Sequence, residues 1–185
     1  MVTAMILAGG VGSRVGAECP KQFIEVFGKP ILAYTIEIYQ KNSQVEAIEI
    51  VCHEDWIDYL KKMIKKYDLS KVRWITQGGK TFQESVINGM KYLKDKLNMD
   101  DIVMIHYGAA PFSSQHIIQD GIEKCKKYGM SVSCTPCFQL MGSNDGNGKS
   151  KQWIDRDKQV QICCPQSFRY GYFCLLYTSD AADEL

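Results

Sequence analysis

Five short apolar runs, at residues 2–7, 47–52, 72–76, 102–106 and 131–135, are separated by segments whose apolar residues recur every three or four positions. That alternation is the tightest constraint on the fold. A continuous apolar run reads as a strand buried on both faces, and a 3.6-residue period reads as a helix packed on one side. Leu32, Ile36 and Tyr39 form one helical stripe; Trp56, Leu60, Met63 and Tyr67 form a second. Phe82, Val86, Met90, Leu93 and Leu97 form a third, and Ile118, Ile122 and Cys125 a fourth. All four stripes are expected in the core. Thr81 followed by Glu84 is a capping-box pattern that starts the third helix directly after Gly78-Gly79. Strand and helix in this rhythm predict an α/β domain: a mainly parallel sheet, helices on both faces, right-handed crossovers. Ligands of such sheets sit at the carboxyl ends of the strands, so residues 8–22, 77–80 and 107–111 should share one rim. The polar stretch 138–151, rich in Gly, Ser and Asn, reads as an excursion from the sheet, a β-arm.

With 185 residues there is room for one domain with a substantial core. Lys and Arg number 22 against 21 Asp and Glu, with no block of like charge, so neither a nucleic-acid surface nor a polybasic membrane patch is expected. The apolar runs are too short to span a bilayer. The opening "MVTAMILAGG" lacks the basic and long apolar regions of a signal peptide, and the expected location is the cytoplasm. Eight cysteines include Cys134-Thr-Pro-Cys137 and Cys163-Cys164. Without a second CxxC or a nearby histidine they read as reduced thiols in strands, not as a zinc site.

The final stretch, "CLLYTSDAADEL", shows neither period and follows abruptly on a strand-like "QSFRYGYF". Residues 174–184 resemble the translated frame of a common transposase-type sequencing adapter. Residues 174–185 are therefore read as a non-native tail and 1–173 as a single domain, incomplete at its C-terminus. A chain so cut should expose a sheet edge and an apolar helix-packing surface.

The loop after the first strand, "AGGVGSRVGAECPKQ", holds four glycines, Arg14 and Lys21. Glycines placed there let the backbone approach a ligand and turn N–H groups toward it, a nest suited to phosphate. Arg14 and Lys21 add positive charge. A Walker A loop needs G-x-x-x-x-G-K-[ST], which is absent. A dinucleotide fingerprint needs a third glycine where Val15 stands. A nucleotidyltransferase loop, in which Arg and Lys gather a triphosphate, accommodates what is present; so does a glycine turn with solvated charges.

"LAGGVGSRVGAECPKQF" resembles the signature of the cytidylyltransferases that act on 2-C-methyl-D-erythritol 4-phosphate and on ribitol 5-phosphate. The similarity continues through "QGGKTFQESV", "IHYGAAPF" and "DRDKQVQICCPQSF". The resemblance implies a Rossmann-like nucleotidyltransferase fold, a homodimer formed through the β-arm, and attack of an acceptor phosphate on the α-phosphorus of CTP with loss of pyrophosphate. It implies Mg²⁺ bound mainly through the substrate phosphates, with no metal ligand of the protein assigned. Ala8, Gly9, Gly10 and Gly12 are expected to approach the nucleotide with their backbone, and Arg14 and Lys21 to bind the triphosphate and act catalytically. Gly79, Lys80 and Ser85 match the part that reads cytosine, Gly108 lies against the ribose, and Arg156 matches the arginine that reaches the acceptor phosphate. His106, at the end of a buried strand, is expected as a core histidine with a satisfied ring, since this chemistry needs no general base.

The pattern departs from the family on the acceptor side. Tyr107 stands where an aspartate is usual, Ala110 where an arginine is usual, and Leu140 near a usual threonine. A branch using CTP with another phosphorylated polyol or sugar is the expected activity. The alternatives are another nucleoside triphosphate, or a weak or inactive paralogue that binds a nucleotide as a sensing or partner-binding module.

Overall fold

The computed structural model describes residues 1–10 and 19–178, with side chains through residue 175. The chain runs through β1 (Val2–Ala8), a 3₁₀ turn at Lys21–Phe23, a small hairpin of β2 (Glu25–Val26) and β3 (Lys29–Pro30), and helix α1 (Ile31–Gln40). Next come β4 (Ala47–Cys52), α2 (Ile57–Lys66), β5 (Val72–Gln77), α3 (Phe82–Tyr92) and β6 (Ile102–Tyr107). The second half holds α4 (Gln115–Tyr128), β7 (Met130–Pro136), the paired β8 (Met141–Gly142) and β9 (Trp153–Ile154), β10 (Val160–Arg169) and α5 (Tyr170–Thr178).

Six strands form one sheet in the order β5-β4-β1-β6-β10-β7. The first four are parallel, and β10 runs antiparallel between β6 and β7. The mainly parallel α/β architecture expected from the alternation is what forms. The chain steps outward from β1 to β4 and β5, then returns to the other side of β1 as β6. That reversal places a switch point between β1 and β6, and crevices open at the carboxyl ends of the strands on either side of such a point.

One face of the sheet, Ala4, Ile6, Ile48, Ile50 and Met104, packs against Leu32, Ile36 and Tyr39 of α1, Leu60 and Met63 of α2, and Ile118, Ile122 and Cys125 of α4. The other face, Met5, Val51, Val103 and Ile105, packs against Val86 and Met90 of α3 and Tyr170 and Phe173 of α5. The stripes therefore sort onto two faces as strand alternation requires. Two expectations are corrected. Leu93 and Leu97 are buried but lie beyond the end of α3, and Phe82, expected in the core, is exposed. As the first residue of α3 it borders two open hollows, one at the strand ends and one beside α5, so its ring is only partly covered.

The stretch expected to be strand through Phe173 turns helical at Tyr170. Tyr170 N–H donates to the Asp101 carbonyl (2.7 Å) and Gly171 N–H to the Met99 carbonyl (2.8 Å). These bonds turn the chain off the sheet and drop Tyr170 and Phe173, three apart, onto the α3 layer. Beside them lies an apolar hollow of about 510 Å³ lined by Val86, Ile105, Met130, Phe168, Tyr172 and Leu175, among others. The polar excursion forms the expected arm: Met141 and Gly142 pair with Ile154 and Trp153.

Candidate active site

Three connections meet at the carboxyl ends of β1, β5 and β6 and enclose a cavity of about 270 Å³. Gly9, Gly10, Lys21, Gly79, Lys80, Ser85 and Gly108 all line it. They come from four separate stretches of sequence, brought to one place by the parallel sheet. Ala8 is buried at the end of β1 and does not line the cavity; its carbonyl is used in packing, as described below. Gly12 and Arg14 lie outside the described residues.

The first wall is held by Gln22. Its side chain is buried, and Nε2 donates to the carbonyls of Ala8 (2.7 Å) and Gly10 (2.9 Å). One amide thus clamps both sides of the Gly9 turn to the Lys21–Phe23 helix and sets Lys21 opposite the glycines. Sequence reasoning quoted Gln22 in a motif but gave it no role. Its signal is a polar residue two places after Pro20 in a turn that must carry buried backbone carbonyls. Among the described residues, an added Cβ at Gly10 would meet nothing within 4 Å.

The second wall is the start of α3. Thr81 caps the helix, its Oγ1 accepting from Glu84 N–H (3.1 Å). The glutamate does not close the expected reciprocal bond; Glu84 Oε2 accepts instead from Lys80 N–H (2.7 Å). Ser85 Oγ accepts from Gly79 N–H (3.0 Å) and donates to the Thr81 carbonyl (2.9 Å). Side-chain oxygens therefore fix the loop that carries Gly79 and Lys80, and the serine is both a helix-turn bond and part of the cavity wall.

The third wall is the end of β6. Thr35 Oγ1 on α1 donates to the Gly108 carbonyl (2.9 Å). An added Cβ at Gly108 would stand 2.9 Å from the Leu7 carbonyl, so β1 and this turn approach as closely as backbone allows. His106 is fully buried, edge-on to Tyr39. Its Nδ1 lies 2.9 Å from the Tyr107 carbonyl and its Nε2 2.9 Å from Ser113 Oγ. A carbonyl only accepts, so Nδ1 carries the proton and Nε2 takes the serine hydroxyl. Burial pushes the imidazole down to about 4, and the ring stays neutral, a structural pin for the turn.

Past Ala109, which lines this cavity, Ala110 lines a second hollow of about 590 Å³ between α4 and the β7–β10 pair. His116, Cys134, Thr135, Cys163 and Cys164 also face it. Arg156 lines neither hollow; it sits on the turn after β9, and its Nη1 donates to the Phe138 carbonyl (3.2 Å). Among the described residues no three His, Cys, Asp or Glu side chains gather as a metal site. The described walls of the rim cavity include two lysines and no carboxylate. They do not fit a Mg²⁺ ion held by the protein, which takes carboxylate and other oxygen ligands.

A switch-point cavity walled by glycine backbone and lysines, in a sheet of this order, defines an α/β nucleotidyltransferase. Residues 2–183 match the sequence family of 2-C-methyl-D-erythritol 4-phosphate cytidylyltransferase, and the chain belongs to that family of enzymes. It is 36% identical over 184 residues to the ribitol-5-phosphate cytidylyltransferase of Lacticaseibacillus paracasei, covering 100% of this chain and 76% of that protein. It is 39% identical over 168 residues to the 2-C-methyl-D-erythritol 4-phosphate cytidylyltransferase of Clostridium novyi, covering 90% and 71%. The crystal structure of 4-diphosphocytidyl-2C-methyl-D-erythritol synthase from Anaerococcus prevotii superposes with a TM-score of 0.81 at 25% identity, covering 100% of this chain and 77% of that one. Among the described residues, no helix is long and apolar enough to cross a membrane.

Proposed function

We propose that the protein transfers CMP from CTP to the phosphate of an alditol phosphate of the ribitol 5-phosphate type, releasing pyrophosphate. The observation that carries this reading is the convergence of Gly9, Gly10, Lys21, Gly79, Lys80, Ser85 and Gly108 on one cavity at the switch point. Both groups of relatives are cytidylyltransferases by name, so the acceptor is the open choice. Of the departures from the pattern that both groups share, Ala110 lines the neighbouring hollow and Tyr107 the rim cavity, so the choice of a ribitol-type acceptor rests on the similarity to the Lacticaseibacillus paracasei enzyme, which covers 100% of this chain.

In this reading the backbone of Gly9 and Gly10 and the Lys21 ammonium receive the triphosphate, while Gly79, Lys80 and Ser85 face the base and Gly108 the ribose. Arg14 and Gly12, on the same loop, are assigned to the phosphates by resemblance. The acceptor enters the neighbouring hollow past Ala109 and Ala110, which brings its phosphate toward the α-phosphorus. The chain's contribution is alignment and charge: two anions are held close, and the lysine offsets charge that builds on the phosphorus oxygens. Mg²⁺ would be carried by the nucleotide phosphates, since the described walls offer it no carboxylate.

Homodimer formation through the arm belongs to the same proposal. Phe138, Leu140 and Trp153 are each at least two-thirds exposed around it, an apolar surface of the kind that marks an interface, and a partner's Arg156 would then reach the acceptor. A cytoplasmic location and the reading of residues 174–185 as appended sequence are also proposals; sequencing the gene across codon 173 decides the latter.

The test is pyrophosphate release from CTP with ribitol 5-phosphate, methylerythritol 4-phosphate and other alditol phosphates, with UTP as control. Release with CTP and an alditol phosphate alone is expected. CTP binding without release for any acceptor would favour the nucleotide-sensing alternative.

A further inference from the structure

We propose that Tyr107 and Phe82 form an aromatic wall that stacks on the nucleoside of the bound nucleotide, making the cavity select a base-bearing ligand over a bare polyphosphate. This rests on the nucleotide reading given above and adds a contact to it. The two rings stand 5.8 Å apart at 59° across the mouth between β6 and α3, and both line the cavity.

Tyr107 lies outside the core, and Phe82, which also borders the apolar hollow beside α5, turns one side of its ring to this cavity. β6 is buried from Ile102 to His106, and only its last residue, Tyr107, emerges, 42% exposed. The α3 stripe is buried from Val86 onward, and its first member, Phe82, is 44% exposed. Leaving two large rings half in water forgoes favourable burial, unless something planar and apolar covers them. The cavity's other described walls are glycine and alanine, one leucine, two lysines and small or amide polar side chains, so these two are its aromatic surface. A nucleotide has matching parts: phosphates for the ammonium groups and glycine N–H groups, and a flat base and sugar for the rings. Base–aromatic stacking does not depend on a hydrogen-bond code, because every base presents a π-face. Where the family's usual aspartate would offer charge, this chain offers contact area.

The experiment is calorimetric binding of CTP and of inorganic tripolyphosphate to the full chain and to Tyr107→Ala, Phe82→Ala and Tyr107→Phe. Both alanine variants should weaken CTP by about tenfold, at the modest end of base–aromatic stacking. Both should leave tripolyphosphate unchanged, and Tyr107→Phe should bind CTP like the parent because the ring, not the hydroxyl, is used. The exposure of both side chains lets the variants fold, and thermal unfolding checks that they do. As a readout independent of truncation, the Tyr107 ring resonances should move with CTP and stay in place with tripolyphosphate. Unchanged CTP affinity in both alanine variants would overturn this inference and leave the nucleotide reading standing. A parent chain that bound neither ligand would overturn both.

Discussion

The rim cavity and the hollow beside it share the Ala109–Ala110 turn but are built differently. The cavity's glycine walls are backbone pinned by specific bonds, Gln22 on Ala8 and Gly10, Thr35 on Gly108 and Ser85 on Gly79, with Lys21, Lys80, Phe82 and Tyr107 completing it. The neighbouring hollow is made of side chains from α4, β7 and β10, with an Asp120–Lys124 ion pair (2.6 Å) and three thiols on its walls. Backbone walls held by buried polar bonds leave little room for substitution, whereas side-chain walls can be exchanged one at a time. On the function proposed above, the difference teaches how a nucleotide half could keep its ligand while an acceptor half changes.

The largest effect should come from Lys21→Ala, which removes positive charge from the phosphate end. A loss of about 100-fold in kcat/KM for CTP is expected, as for removal of one transition-state donor. A loss below threefold would remove the cavity from the chemistry.

Gln22→Glu keeps size and burial but replaces the donating amide with an oxygen facing two carbonyls. Leaving such groups unsatisfied costs about 1–3 kcal/mol. CTP binding should weaken by about tenfold and the melting temperature should fall by several degrees. An isosteric change in the neighbouring hollow, Cys134→Ser, should do neither.

Glu49 tests the layer beneath α3. Its carboxyl is fully buried on β4; Oε1 accepts from Thr76 Oγ1 (2.6 Å), and Oε2 has no partner among the described residues. Burial pushes it up to about 8, from 4.5. Between those values the folded chain holds a proton that the unfolded chain has lost, so stability falls as pH rises through that window, by a few kcal/mol. Glu49→Gln, which carries the hydrogen permanently, should flatten the slope of thermal stability between pH 5 and 8. An unchanged slope would mean that the carboxylate is solvated.

The smallest effect on the nucleotide half should come from Arg156→Ala. Its guanidinium is held on the arm by the Phe138 carbonyl, and the expected change is a higher KM for the acceptor at constant KM for CTP. A matching rise in both would erase the division between the two regions.

Much of the rim was legible because glycine and capping residues act locally. Gly78-Gly79, Thr81 and Glu84 signal a turn entering a helix whatever surrounds them. The role of Gln22 was not legible, since an amide's partners depend on where a loop returns in space. Phe82 was misread for a related reason: periodicity reports which side of a helix a residue is on, but not whether the neighbouring elements close over it. Tyr107 could be seen as a departure from a motif, but not as one of a pair.

By itself, then, the sequence determined the alternation of strands and helices, the face each stripe buries and the loops that reach the rim, because each follows from hydrophobic period and local backbone preference. Only the tertiary structure decided that β6 returns beside β1, that Gln22 closes the first loop, and that Phe82 and Tyr107 meet at the cavity mouth. Those contacts join residues far apart in the chain, and their energies depend on burial and distance, which no local pattern encodes.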